Sequence, residues 1–176
     1  MIPNESVIRI LEQFARDPMR FRFPSIDLFD SEKKLDGVLT ANGLMKPLYY
    51  TLTIMERMPK GLLSHGPTHI ALAEKGHLTL LLFNPNKTAS ITIDTVIRNA
   101  PPNCKLTKYH LKAANSYLTF WSQLNFSPAL TDEDVRNINL MSHPDIGFAV
   151  LPQDNQYYTS VELEPYDVIV LMFQAL

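Results

Sequence analysis

The chain has 176 residues, of which 45% are hydrophobic, a size and balance that suit one domain with a substantial core. Lys and Arg total 16 against 18 for Asp and Glu, so no overall field would hold nucleic acid or an anionic membrane. The single cysteine, Cys104, excludes an internal disulfide, the first residues show no basic segment followed by an apolar core, and no apolar run approaches the ~20 residues that cross a bilayer, so a cytoplasmic setting is expected.

Asn4 stands where it can cap a helix in which Val7, Ile10, Leu11 and Phe14 recur at helical spacing, and Asp17-Pro18 ends it. Phe21 to Ile26 reads as a short strand, limited to an edge or a strand end by Pro24. A polar loop from Asp27 to Asp36 and a turn at Asn42-Gly43 lead to a second helix. There Pro47 fits the first turn, Leu44, Leu48, Leu52 and Met55 form the apolar face, and Pro59 and Gly61 close the element. Residues 1–60 therefore read as helix, strand, loop, helix.

Beyond Gly61 the period changes to that of strands. Ile70–Ala73 and Leu78–Phe83 flank Lys75-Gly76, the mark of a tight hairpin, and the run His77 to Asn86 reads as a central buried strand stopped by Asn84-Pro85-Asn86. Ile91, Ile93, Thr95 and Ile97 alternate with Thr92, Asp94 and Val96, and Lys105–Leu111 alternates again. Tyr117, Phe120, Trp121 and Leu124 have helical spacing, and Thr131 opens a capping signal for a short helix carrying Val135 and Ile138. Phe148–Leu151, Thr159–Leu163 and Val168–Phe173 complete the strands, and residues 61–176 are expected to form an antiparallel β-sandwich of about seven to nine strands with short inserted helices.

Candidate chemistry is sparse. His65 and His69 are four apart, but Gly66-Pro67 between them forbids the helix that would join them on one face for a metal, and His77, His110 and His143 are scattered. No metal site or cofactor is expected, and no Ser-His-Asp or Cys-His pattern supports acyl transfer. Trp121, at helical spacing, is expected in the core, and of the adjacent Tyr157 and Tyr158 only one can face solvent.

Two stretches carry more information. FPSIDLFDSEKKLDGVLTANGLMKPLYY at residues 23–50 and YHLKAANSYLTFWSQLNFSPALTDEDVRNINLMSHP at residues 109–144, joined by the late strand LEPYDVIVL, resemble the C-terminal part of glycoside hydrolase family 39, the β-xylosidase and α-iduronidase group. By that resemblance residues 4–58 match the last helix-strand-helix of a (β/α)8 barrel, and the remainder matches the β-sandwich behind it. The resemblance places Phe23, where the family usually has Trp, and Asp27 near the bound sugar as candidate substrate contacts. It also implies that the family's two catalytic glutamates lie on barrel strands outside these residues. The eight glutamates here, at 5, 12, 32, 56, 74, 133, 162 and 164, lack the family's Asn-Glu and Thr-Glu signatures, so no catalytic residue is assigned.

The implied function is non-catalytic support of a carbohydrate-processing barrel. The alternatives are the C-terminal region of a sugar-responsive helix-turn-helix regulator and a stand-alone carbohydrate-binding module. The expected partners are an upstream barrel region, a second copy joined through residues 1–58 unless that segment folds back over the sandwich, and a xylo-oligosaccharide or related sugar.

Overall fold

The computed structural model describes residues 4–30, 37–99, 103–151 and 156–175. Glu32, one of the eight glutamates, and most of the expected polar loop lie outside the described residues. The chain begins with helix α1 (Glu5–Arg16) and the short strands β1 (Phe29–Asp30) and β2 (Leu39–Thr40), followed by helix α2 (Pro47–Met55). Strands β3 (Leu62–Gly66), β4 (His69–Glu74), β5 (His77–Phe83), β6 (Ile91–Arg98) and β7 (Cys104–Leu111) follow. Helices α3 (Tyr117–Ser122) and α4 (Asp132–Met141) precede β8 (Asp145–Val150), β9 (Gln156–Leu163) and β10 (Val168–Ala175).

Six strands form one antiparallel sheet in the order β3-β4-β5-β10-β7-β8, while β6 and β9 pair separately. The fold is mainly β, an antiparallel sandwich with short helices, and among the described residues its second layer is two strands wide. β5 and β10 are the paired middle strands, aligned from Val168 opposite Phe83 to Gln174 opposite His77. Both carry continuous apolar runs because both of their faces are covered. On one side Leu80, Leu82, Ile169, Leu171 and Phe173 pack with Val161 and Leu163 of the β6-β9 layer. On the other side Leu81, Phe83, Val168 and Val170 pack with Val7, Leu11, Leu48 and Ile54 of α1 and α2. The two helices thus lie on the sheet and share its core.

Local chemistry explains the junctions. The β4-β5 hairpin turns through Lys75 and Gly76, whose φ values of 47° and 82° are the left-handed pair that a two-residue turn requires. At Gly61 a Cβ atom would collide with the Ala73 carbonyl oxygen, so only glycine lets the chain enter β3 there. Asn84, fully buried after β5, holds the chain crossing: its Nδ2 donates to the carbonyls of Ala89 at 2.8 Å and Leu163 at 3.0 Å, and its Oδ1 accepts from Asn86 N at 2.9 Å. Thr131 and Asp134 form a reciprocal capping box on α4. Asn139 of α4 accepts from Met45 N at 2.7 Å and donates to Gly43 O at 3.1 Å, fastening the segment that leads into α2.

Several expectations need correction. Phe21–Ile26 is not a strand: it has no ladder partner, and none of these residues takes part in a main-chain hydrogen bond with another main-chain group among the described residues. An extended segment becomes a strand only when a neighbour satisfies its N–H and C=O groups, and the pairing found nearby is the parallel contact of β1 with β2. Asn4 occupies the N-cap position of α1 but makes no side-chain cap. Its amide instead donates to Leu111 O at 3.2 Å and Tyr166 O at 3.0 Å, tying the helix to the sheet. Leu44 precedes α2 and packs with Tyr117, Trp121 and Ile138, while α2 buries Leu48, Tyr50, Thr51 and Ile54. Leu124 lies beyond α3 and is 40% exposed. The strand β3 had no distinct signal, because its residues Leu-Leu-Ser-His-Gly alternate poorly.

Candidate functional site

An open apolar groove lies between α1, the segment after it, α2 and β4. Phe14 at the end of α1, Phe21 and Phe23 in the following segment, Leu52, Met55 and Met58 around α2, and Leu72 of β4 line a groove of about 490 Å³, with Glu56 and Lys60 at its polar edge. The three phenylalanines form a relay, with ring centroids 5.0 Å apart from Phe14 to Phe21 and again from Phe21 to Phe23, the latter edge to face. Phe23 remains 52% exposed, and Met19, Leu28 and Phe29 close by are exposed by 81%, 58% and 60%. Four large apolar side chains within eleven residues therefore face solvent. Among the described residues, Glu56 is the one carboxylate that lines this groove.

Of the two predicted sugar contacts, Phe23 therefore lines a groove, while Asp27 is exposed and does not line it. The Asp27 carbonyl accepts from Val38 N at 3.2 Å, which places Asp27 beside the β1-β2 contact.

The strongest polar cluster went unread in the sequence. Asp167, 6% exposed at its side chain, accepts from Ala113 N at 2.9 Å and from His110 Nε2 at 3.0 Å. A carboxylate can only accept, so the imidazole carries its proton on Nε2. These groups border a cavity of about 370 Å³ that also receives Lys112, Glu162 and Glu164. The arrangement resembles the base half of a nucleophilic site. However, the serine bonded to this cluster, Ser90, donates to Glu164 at 2.9 Å and is not directed at His110. Asp167 joins the end of β7 to the start of β10, and the partners are 57 residues apart in sequence, which no local pattern reveals.

His65, His69, Trp121 and Tyr50 each have a hydrogen-bond partner. His65 Nδ1 meets Ala15 O at 2.7 Å and His69 Nε2 meets Ser64 Oγ at 3.1 Å. Burial, with the charge of His65 adding, lowers the pKa of His69 below the ordinary value. Trp121 is 3% exposed, donates from Nε1 to Ser127 O at 2.8 Å and meets Phe126 edge to face, as a core residue should. Tyr157 packs on Phe173 inside the sandwich, and Tyr158 faces outward. Tyr50 is 6% exposed and donates to Asn139 O at 2.9 Å. Burial, aided by Tyr49, pushes its phenol up to about 12. No helix among the described residues is long and apolar enough to cross a membrane.

No protein-family model matches the sequence, and no curated protein matches it at the sequence level. Solved structures do match in fold. A family 39 enzyme from Xanthomonas axonopodis pv. citri superposes with a TM-score of 0.75 at 10% identity, covering 99% of this chain and 41% of that one. A monomeric β-xylosidase from Caulobacter crescentus CB15 gives 0.71 at 12% identity, covering 99% and 43%. A bacterial orthologue of human α-L-iduronidase gives 0.76 at 10% identity, covering 98% and 38%. The class is thereby set: this is the fold of a part of family 39 glycoside hydrolases. The whole chain corresponds to less than half of each of those enzymes, a match that fits their C-terminal region.

Proposed function

We propose that this chain is a non-catalytic, family 39-like region whose role is to pack against and stabilise a carbohydrate-processing barrel. The observation that carries the reading is the coincidence of two facts: nearly the whole chain matches about two fifths of glycosidases, and its apolar groove and unpaired Phe21–Ile26 segment lie in the part resembling the end of a barrel. Barrel active sites are assembled from the ends of several strands, and the helix-segment-helix of residues 4–58 is too little of a barrel to hold a carboxylate pair about the scissile bond. In this reading Phe14, Phe21 and Phe23 are covered by the remaining barrel, which also pairs with the Phe21–Ile26 backbone.

The test has two parts. The chain alone, incubated with aryl β-xylosides and aryl α-iduronides, is expected to release no more product than buffer; turnover that disappears on substituting one of its glutamates would refute the proposal. A barrel region supplied as a separate polypeptide should form a complex with this chain that Phe23→Ser weakens.

Phe23 also favours a second reading, binding of carbohydrate by the chain itself, because a half-exposed ring at the mouth of a groove can stack on a sugar. A calorimetric titration with xylo-oligosaccharides decides it: heat that vanishes in Phe23→Ala and falls in Asp27→Ala selects sugar binding, and no heat removes it.

A further inference from the structure

The six-stranded sheet ends in two unlike edges. At one edge, β3 has a register shift between Leu62 and Ser64, polar Ser64 and His65, and Pro67 directly after it, devices that prevent a strand from recruiting another. At the other edge, Pro144 and the charged Asp145 stand at the start of β8, but the run Ile-Gly-Phe-Ala-Val from residue 146 to 150 has no charge, proline or bulge, and all of β8 is exposed. No strand among the described residues pairs with its outer side.

The ladder fixes which groups face outward. Leu151 N donates to Cys104 O at 3.0 Å, one step beyond the pairing of Lys105 with Val150, so Cys104 and Leu151 are a hydrogen-bonded pair. Such pairs alternate along an antiparallel ladder. Asp145, Gly147 and Ala149 therefore direct their main-chain groups to β7, and Ile146, Phe148 and Val150 direct theirs away from the sheet. The side chains of these same three residues are 43%, 69% and 69% exposed. They lie opposite Tyr109, Thr107 and Lys105, on the face that carries α1 and α2. Free N–H and C=O groups and an apolar stripe thus coincide.

We propose that β8 pairs antiparallel with β8 of a second copy about a twofold axis normal to the sheet, joining the two sheets edge to edge. Outward-facing residues must oppose outward-facing residues, and the axis keeps the helix-bearing faces on the same side, so opposed side chains must share that face. One register uses all three residues: Phe148 opposite Phe148 of the other copy, and Ile146 opposite Val150. In that register Asp145, held by Lys112 at 2.7 Å, lies opposite Leu151, so no like charges meet. Lys105 keeps its place over the Phe148 ring, 5.1 Å from the centroid. Three side chains from each copy are fewer than fill the about 1,200–2,000 Å² that stable interfaces bury, so the pair is a reversible dimer.

Sedimentation velocity on the full chain from about 1 to about 300 μM tests this, with a monomer–dimer equilibrium expected. Phe148→Pro removes an outward N–H and no bond to β7, so it should abolish the dimer while leaving the melting temperature of the monomer nearly unchanged. Phe148→Lys places two cations opposite each other and should weaken the dimer about tenfold or more even where the proline variant folds poorly. Phe148→Cys should be joined across the axis by a short bismaleimide, with buried Cys104 not competing, whereas Ser64→Cys, on β3 at the opposite edge of the sheet, should not. Phe23→Ser, which alters the groove assigned to the barrel, should leave the dimer intact. A monomer throughout, or a dimer lost in Phe23→Ser and kept in both Phe148→Pro and Phe148→Lys, would overturn the proposal without touching the supporting role.

Discussion

Asp167→Ala removes the carboxylate that joins β7 to β10. Both acceptor contacts are partly buried, at 2.9 Å to Ala113 N and 3.0 Å to His110 Nε2, with the side chains of Asp167 and His110 6% and 17% exposed. Each bond to a charged acceptor contributes about 1.5–3 kcal/mol. Relief of the buried charge offsets part of that, so a net cost of about 2–4 kcal/mol is expected. For a chain of this length such a loss should lower the melting temperature by on the order of 10 °C. Asp167→Asn retains an oxygen for Ala113 N but presents an amide to His110, so it should cost about half as much. Urea denaturation of both variants, of His110→Ala and of Asp167→Ala/His110→Ala supplies the cycle, and a coupling of about 1 kcal/mol or more is expected. A loss below about 1 kcal/mol for Asp167→Ala, or no coupling to His110, would show that Asp167 is not the strut described.

Trp121→Ala should cost about 3–5 kcal/mol in the same assay, since it empties a buried site and orphans the Ser127 carbonyl; an unchanged denaturation midpoint would mean the ring is not packed. Tyr50 supplies a test in alkali. Its folded pKa is raised from 10.0 to about 12, so the folded state holds the proton more tightly, and the associated stability is full below pH 10 and is lost as pH rises toward 12. Tyr50→Phe should be less stable at neutral pH through the lost bond to Asn139 but should show a shallower decline between pH 10 and 12, and parallel pH curves for the two proteins would refute the assignment.

What could be read from the residues depended on whether the determining partner was close in sequence. The β4-β5 hairpin was legible because Lys75-Gly76 carries its own turn chemistry. The α4 start was legible because Thr131 and Asp134 satisfy each other within one turn. The alternation of β6 was legible because one face of that strand meets the core and the other meets water. Asn4 looked like a cap by its position but answers to Leu111 and Tyr166, more than a hundred residues away. The site shows the same division. Phe23 was found through a likeness of motif, yet its neighbours Leu52, Met55 and Leu72 come together only by folding. His110 looked like an isolated surface histidine until Asp167 was brought against it.

Phe21–Ile26 is the instructive mismatch. Its composition fits a pleated, half-buried strand, and the resembled family uses this position as its last barrel strand. A strand is a property of a pair, however, and its amide groups gain nothing over water from an extended backbone alone. With no neighbour among the described residues the segment is irregular, while its aromatic side chains still find Phe14 and the groove. The β8 edge presents the converse case. That strand is ordered by β7 on one side and keeps unused pairing capacity on the other. The two surfaces therefore differ in kind. The groove at Phe23 offers apolar side chains beside a backbone not yet in a ladder, which suits an occupant that brings its own strands, as a barrel does. The β8 edge offers a finished strand with a self-complementary register, which suits a second copy. One chain can serve both because the two surfaces use separate residues.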